Sequence, residues 1–175
     1  TALPICATIG AGYGDQNGTT LTAGISESNF LGKGQKVKFS TSFSSTQNLY
    51  DISLTEPYFY NKDLSVRGDL YSKFSDPDNV NYETETVGLG FSVAFPLSKS
   101  NRITTKYSLL TSKTTADANA TSYEQLLSGT STVSIAGYIL SLDNRNSPYK
   151  PTNGSIFTIE QNLAGIGGTS NYLEN

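Results

Sequence analysis

The stretch "SLTEPYFYNKDLSVRGDLYSKF", residues 53–74, decides how the rest of the chain is read. Alternating residues lead in, stop at Glu56-Pro57-Tyr58-Phe59-Tyr60, and resume at Leu64. Beyond this corner, Arg67, Asp69, Tyr71 and Lys73 fall on one side of a two-residue period, and Leu64, Val66, Leu70 and Phe74 on the other. Such a period marks a β-strand with two unlike faces. Pro57 ends the incoming strand because it has no N–H to donate to a ladder. The corner then carries three aromatic rings, although turns ordinarily favour small polar residues, glycine and proline.

Working outward, the same alternation runs through most of the chain. Strands are expected at about Ala7–Tyr13, Thr19–Ser28, Lys36–Ser44, Leu49–Thr55, Leu64–Phe74, Tyr82–Phe95, Arg102–Thr114, Ser131–Asp143 and Ser155–Leu163, with a tenth starting at Asn171. No segment shows a convincing helical period. In the third strand Val37, Phe39 and Phe43 oppose Lys36, Lys38, Ser40 and Ser42. In the sixth, Val87, Leu89, Phe91, Val93 and Phe95 oppose Thr86, Gly88, Gly90, Ser92 and Ala94. The less apolar face is thus built from Gly, Ser, Thr and charge. Connections alternate as well. "NFLGKGQ", "EPYFYNKD", "PLSKSN" and "NRNSPYKPTNG" are compact and rich in Gly, Pro and aromatics, whereas "SDPDNVN" and "TADANATSYEQLLSG" are longer and polar.

Bulk properties narrow the function. At 175 residues the chain is long enough for one domain with a real core. Its net charge of −3 is small and of the wrong sign for neutralising phosphates, so nucleic acid is not an expected partner. Histidine is absent, which excludes a His-based triad and a His-containing zinc site. The single cysteine, Cys6, excludes an internal disulfide and is read as a buried thiol. No methionine is present, so a processed chain or a piece of a larger one is expected. No signal peptide is visible at Thr1, and no apolar run is long enough for a transmembrane helix.

A transmembrane barrel, however, needs only every second residue apolar. Up-and-down strands, tight turns at one end, long polar loops at the other and a hydroxyl-rich second face fit that architecture. In this reading Tyr58, Phe59 and Tyr60 sit in the interfacial aromatic girdle, and Arg67, Asp69, Tyr71 and Lys73 face a polar lumen. A soluble β-sandwich or lipocalin-like barrel also alternates and stays open, but it should carry a charged outer face. The charged fraction here is only 15%, which favours the membrane barrel.

Other motifs are weaker. "GIGG" at 165–168 lacks a strand–GxGxxG–helix context and reads as a turn. Asp15, Asp76, Asp78 and Asp117 lack calcium-loop spacing and read as solvated loop residues. Glu83 and Glu85 share one strand face, but no constellation demands an enzyme, and neither a cofactor nor a metal is expected.

Several stretches together resemble the barrel domain of the BamA-type outer-membrane protein assembly factors, the bacterial surface antigen family, in an alphaproteobacterial-like form. They are "GAGYGDQNG", "SNFLGKGQKVKF", "SLTEPYFYNKDLS", "SLDNRNSPYKPTNGSIFTIEQNLAGIGG" and "NYLEN", in order and spacing. "TEPYF", with Glu56, Pro57, Tyr58 and Phe59, is similar to the family's turn after the fourth strand. "DNRNSPYKPTNG", with Asp143, Arg145, Pro151, Thr152 and Gly154, is similar to its D-x-R…P-T-x-G turn after the eighth. The opening "TALPIC" fits the family poorly.

The resemblance implies an all-β, antiparallel up-and-down transmembrane β-barrel, partial, with about nine to ten of roughly sixteen strands. Residues 1–175 would be the N-terminal portion of the barrel domain, without POTRA repeats or C-terminal strands. It also implies a place in the bacterial outer membrane and a function: folding and inserting β-barrel proteins without a covalent step. Implied partners are outer-membrane lipid, unfolded client β-barrel proteins and, through the absent POTRA repeats, assembly-machinery lipoproteins. A related two-partner-secretion or TamA-like translocator barrel, or a small passive barrel complete in itself, are the alternatives.

In such a factor client strands pair at the edge of the first strand, here Ala7, Thr8, Ile9, Gly10, Ala11, Gly12 and Tyr13. Ile9, Ala11 and Tyr13 would face lipid. Gly10 and Gly12 either weaken side-chain packing and so suit a gate, or relieve crowding against a neighbouring strand; the residues alone leave both readings standing.

Overall fold

A computed structural model describes residues 5–15, 17–147, 149–165 and 172–174. Its strands are β1 (Cys6–Gly14), β2 (Gly18–Phe30), β3 (Gln35–Phe43), β4 (Gln47–Glu56), β5 (Ser65–Ser75), β6 (Tyr82–Pro96), β7 (Asn101–Ala116), β8 (Gly129–Asp143), β9 (Ile156–Ala164) and β10 (Tyr172–Glu174). All ten form one sheet in chain order, each antiparallel to the next. Boundaries lie within a few residues of the alternation pattern. The opening residues 1–4, Pro148 of the second turn motif and most of "GIGG" fall outside the described residues.

Register is what makes the sheet two-faced. Ala7, Ile25, Phe39, Ile52, Leu70, Leu89 and Leu109 stand opposite one another in a continuous row across seven strands. One residue along, Thr8, Gly24, Ser40, Asp51, Tyr71 and Gly88 form the neighbouring row, which points to the other face. The apolar face is open: Ile9 is 91% exposed and Leu89, in the middle of the sheet, 55%. Among the described residues Ala120 and Ala164 are the buried apolar side chains. A soluble sandwich would bury this face against a second layer. A sheet whose ladder satisfies its own backbone and whose greasy face stays open is a barrel wall turned to lipid.

Three features depart from the sequence pattern. The polar face is interrupted where Leu110 meets Val133, and Ile135 and Ile139 continue the patch along β8. That strand is apolar on both faces, as strands covered on both sides are. A six-residue helix, α1 (Ser122–Leu127), interrupts the β7–β8 loop. It is too short to register as a period, but Thr121 caps it through its hydroxyl and Glu124 answers with its carboxylate, a reciprocal capping box. Finally, the β8–β9 connection (144–155) is as long as the α1 loop (117–128) at the opposite end, so the ends differ in chemistry more than in length.

Candidate functional site

β1 occupies one margin of the sheet and pairs only with β2 among the described strands. Its partners run from Ala7↔Ile25 through Gly10↔Thr22 to Tyr13↔Thr19. In an antiparallel ladder alternate residues direct their N–H and C=O groups to the partner strand, so the remaining residues direct theirs to the open margin. All seven candidate residues, Ala7 to Tyr13, lie on this one strand.

Side chains add little to the ladder. Thr8 leans over Gly24 and donates its hydroxyl to that residue's carbonyl at 3.5 Å, the weak limit of a hydrogen bond. Thr22 leans the other way over Gly10: a Cβ there would lie 2.7 Å from Thr22 Oγ1. The pair Thr8/Gly24 and Gly10/Thr22 is therefore a reciprocal fit of a hydroxyl into a missing side chain. Gly12 differs, since a Cβ there would meet nothing within 4 Å. Gly10 thus relieves crowding, and Gly12 leaves an unfilled position. Cys6, expected buried, is exposed. It sits at the start of the margin strand, where only one side is covered.

The two turn motifs lie at the same end of the sheet. In the β4–β5 turn Glu56 accepts hydrogen bonds from the Tyr58 N–H at 3.1 Å and the Gln35 side chain at 2.9 Å. Phe59–Asn61 then form one turn of 3-10 helix, with Tyr60 (φ 53°) and Asn61 (φ 57°) in the left-handed region that non-glycine residues seldom occupy. In the β8–β9 turn Arg145 grips Asp143 with two guanidinium hydrogen bonds, 2.8 and 2.6 Å, and its own N–H adds a third at 3.0 Å. Asn146 bonds Thr152 through both backbone and hydroxyl. Gly154 has φ 98°, and a Cβ there would press on the backbone of Asn144 and Arg145. Consecutive residues Asn101 and Arg102 join these turns: Arg102 pairs with Asp63 at 3.0 Å, and Asn101 accepts from the Asp143 N–H at 3.1 Å. The turn residues act as a braced rim, and β6 and β7 stand between them. Glu83 and Glu85 do not assemble a site; Glu85 stands opposite Phe74 and Lys113.

Sequence reading missed the lateral bracing of the sheet interior. Lys106 reaches across Gly137 to pair with Glu160, which also accepts from Asn162. Tyr71 lies over Gly88, and Asp69 over Gly90, where it pairs with Arg67. The signal was present: each of these glycines is opposite or beside a long residue on the polar face, but only register shows it.

An open-faced, up-and-down antiparallel sheet with a polar inner face and a braced rim defines a segment of a transmembrane β-barrel wall. Residues 29–174 match the Omp85 superfamily domain, and the chain belongs to that superfamily, as an outer-membrane barrel segment of BamA type. It is 30% identical over 100 residues to the outer membrane protein assembly factor BamA of Neisseria meningitidis, covering 54% of this chain and 12% of that protein. It is 27% identical over 161 residues to the sorting and assembly machinery component 50 homolog of Mus musculus, covering 90% of this chain and 34% of that protein. The crystal structure of BamA from Haemophilus ducreyi lacking POTRA domains 1-3 superimposes with a TM-score of 0.67 at 22% identity, over 94% of this chain and 34% of that one. At that identity the superposition establishes the fold. The chain spans about a third or less of the length of these relatives.

Proposed function

We propose that this chain is the N-terminal portion of the barrel of an outer-membrane assembly factor, and that client strands add to it at the free margin of β1. The observation that carries this reading is the sparse side-chain bracing of β1, which pairs with β2 alone among the described strands and holds Ile9 and Tyr13 highly exposed. Backbone groups at such a margin supply affinity for an extended segment, and side-chain alternation sets its register. The process needs neither a cofactor nor a covalent step. Unfolded outer-membrane proteins are the clients, lipid is the surroundings, and lipoprotein partners would bind through segments outside this chain.

Cys6 gives the test a native thiol at the proposed seam. In the full-length protein, Cys6 should form a disulfide with single cysteines along a client's terminal strand in one register only. Thr8→Pro or Gly10→Pro should abolish that trapping and slow client assembly while the barrel stays folded. Unchanged client assembly in both proline variants sinks the proposal.

A further inference from the structure

We infer that the cleft between the β2–β3 and β4–β5 turns binds the headgroup of a zwitterionic phospholipid. The cleft has a volume of ≈ 560 Å³ and is lined by Lys33, Glu56, Tyr58, Phe59, Tyr60 and Asn61. That volume lies in the range of pockets that hold small ligands.

Position comes first. Glu56 follows Leu54 by two residues, so it belongs to the lipid-facing row, and its cross-strand neighbour Val66 is apolar. The cleft is therefore at the rim of the wall, directly beyond the apolar surface of Leu54, Ile52 and Leu70. A lipid whose acyl chains lie along that surface brings its headgroup to this level.

Charge comes second. The cleft carries one cation, Lys33, and one anion, Glu56. Lys33 has no ion pair among the described residues, and both oxygens of Glu56 are already held, by Gln35 and by the Tyr58 N–H. An ammonium donor facing a fixed carboxylate matches a phosphate linked to an ammonium, and an anionic headgroup would meet Glu56 unfavourably. The rings supply the rest. Tyr58 is 65% and Tyr60 82% exposed, and Phe59 meets Tyr60 edge-on at 4.6 Å. Open aromatic faces receive a headgroup cation, and phenol hydroxyls receive a phosphate. Tyr60 and Asn61 hold left-handed backbone in the turn that carries these rings, at a local conformational cost.

The test uses the full-length protein, delipidated in mild detergent and titrated with phosphatidylethanolamine or phosphatidylglycerol, with bound lipid counted by native mass spectrometry. One phosphatidylethanolamine should persist on the wild-type protein, and its affinity should fall about ten-fold in Lys33→Gln, the loss of one charge-assisted hydrogen bond. Tyr60→Gly removes a ring at a position where glycine is unstrained, so the barrel should remain heat-modifiable while the lipid is lost. Equal retention by wild type and both variants, or preferential retention of phosphatidylglycerol, overturns the inference.

Discussion

β1 and the β5–β9 part of the sheet are built from the same alternation, yet they are held together differently. β1 has nine residues, while β6 and β7 have 15 and 16 and are paired on both sides. Within β5–β9, three glycines serve as floors under polar side chains, Tyr71 over Gly88, Asp69 over Gly90 and Lys106 over Gly137, while Gly68 has open space. Lys106 goes furthest, crossing β8 to pair with Glu160 on β9, while Tyr71 and Asp69 pack across onto β6. At β1 only Gly10 lies under a side chain, the Thr22 hydroxyl; Gly12 and Gly14 have open space, and the cross-strand bond from Thr8 to Gly24 is long. Glycine content by itself therefore says little about strand strength; what lies over the glycine decides. β1 is thus joined to its neighbour mainly by backbone, with fewer side-chain ties than β5–β9.

The largest effect is expected from proline in the interior. Ser108→Pro sits between Gly90 and Ile135 and should cost about 3 kcal/mol or more, read as a lower urea midpoint of the barrel in micelles. Thr8→Pro should cost clearly less. Equal losses would mean that β1 is braced like the rest. Next is Gly137→Val. Its Cβ would lie 2.6 Å from the Gln161 carbonyl and obstruct the path of Lys106, so a loss of about 2–3 kcal/mol is expected in the same assay.

Smaller effects sharpen the contrast within β1. Gly12→Ala has open space and should stabilise the barrel by about 0.4–1 kcal/mol through the unfolded chain. Gly10→Ala must displace the Thr22 hydroxyl and should lose that gain, with a midpoint at or below wild type. The smallest effect is confined to a loop. Glu124 accepts from Thr121 and, across to the β5–β6 loop, from the Asn81 N–H at 3.0 Å; these bonds hold its carboxyl down at about 2. Because the folded value is depressed below the ordinary 4.5, the tie is fully present above that pH and is lost as pH falls through about 2. A spin label at the exposed Leu126 should stay immobile at pH 6 and become mobile toward pH 2, and Glu124→Gln should flatten the transition.

The strand pattern was legible because period two needs only local information: Val37 to Phe43 and Val87 to Phe95 show both faces without any partner. The aromatic corner was legible for the same reason, since Pro57 ends the ladder and the rings follow. α1 was hidden by its brevity, although its capping box, Thr121-Ser-Tyr-Glu124, was readable in principle. Cys6 was misjudged because burial depends on whether a strand has one neighbour or two.

Alternation, turn chemistry and the near absence of charge on one face determined the all-β class and the lipid-facing row, and the collinear motifs from "GAGYGDQNG" to "NYLEN" carried the resemblance to the superfamily. Only tertiary structure decided that Gly10 accommodates Thr22 while Gly12 accommodates nothing. It also decided that Lys106 crosses Gly137 to Glu160, and that Asn101 and Arg102 brace two distant turns. The reason is register: a two-residue period survives any even shift of one strand along another, but the side chain opposite a glycine does not.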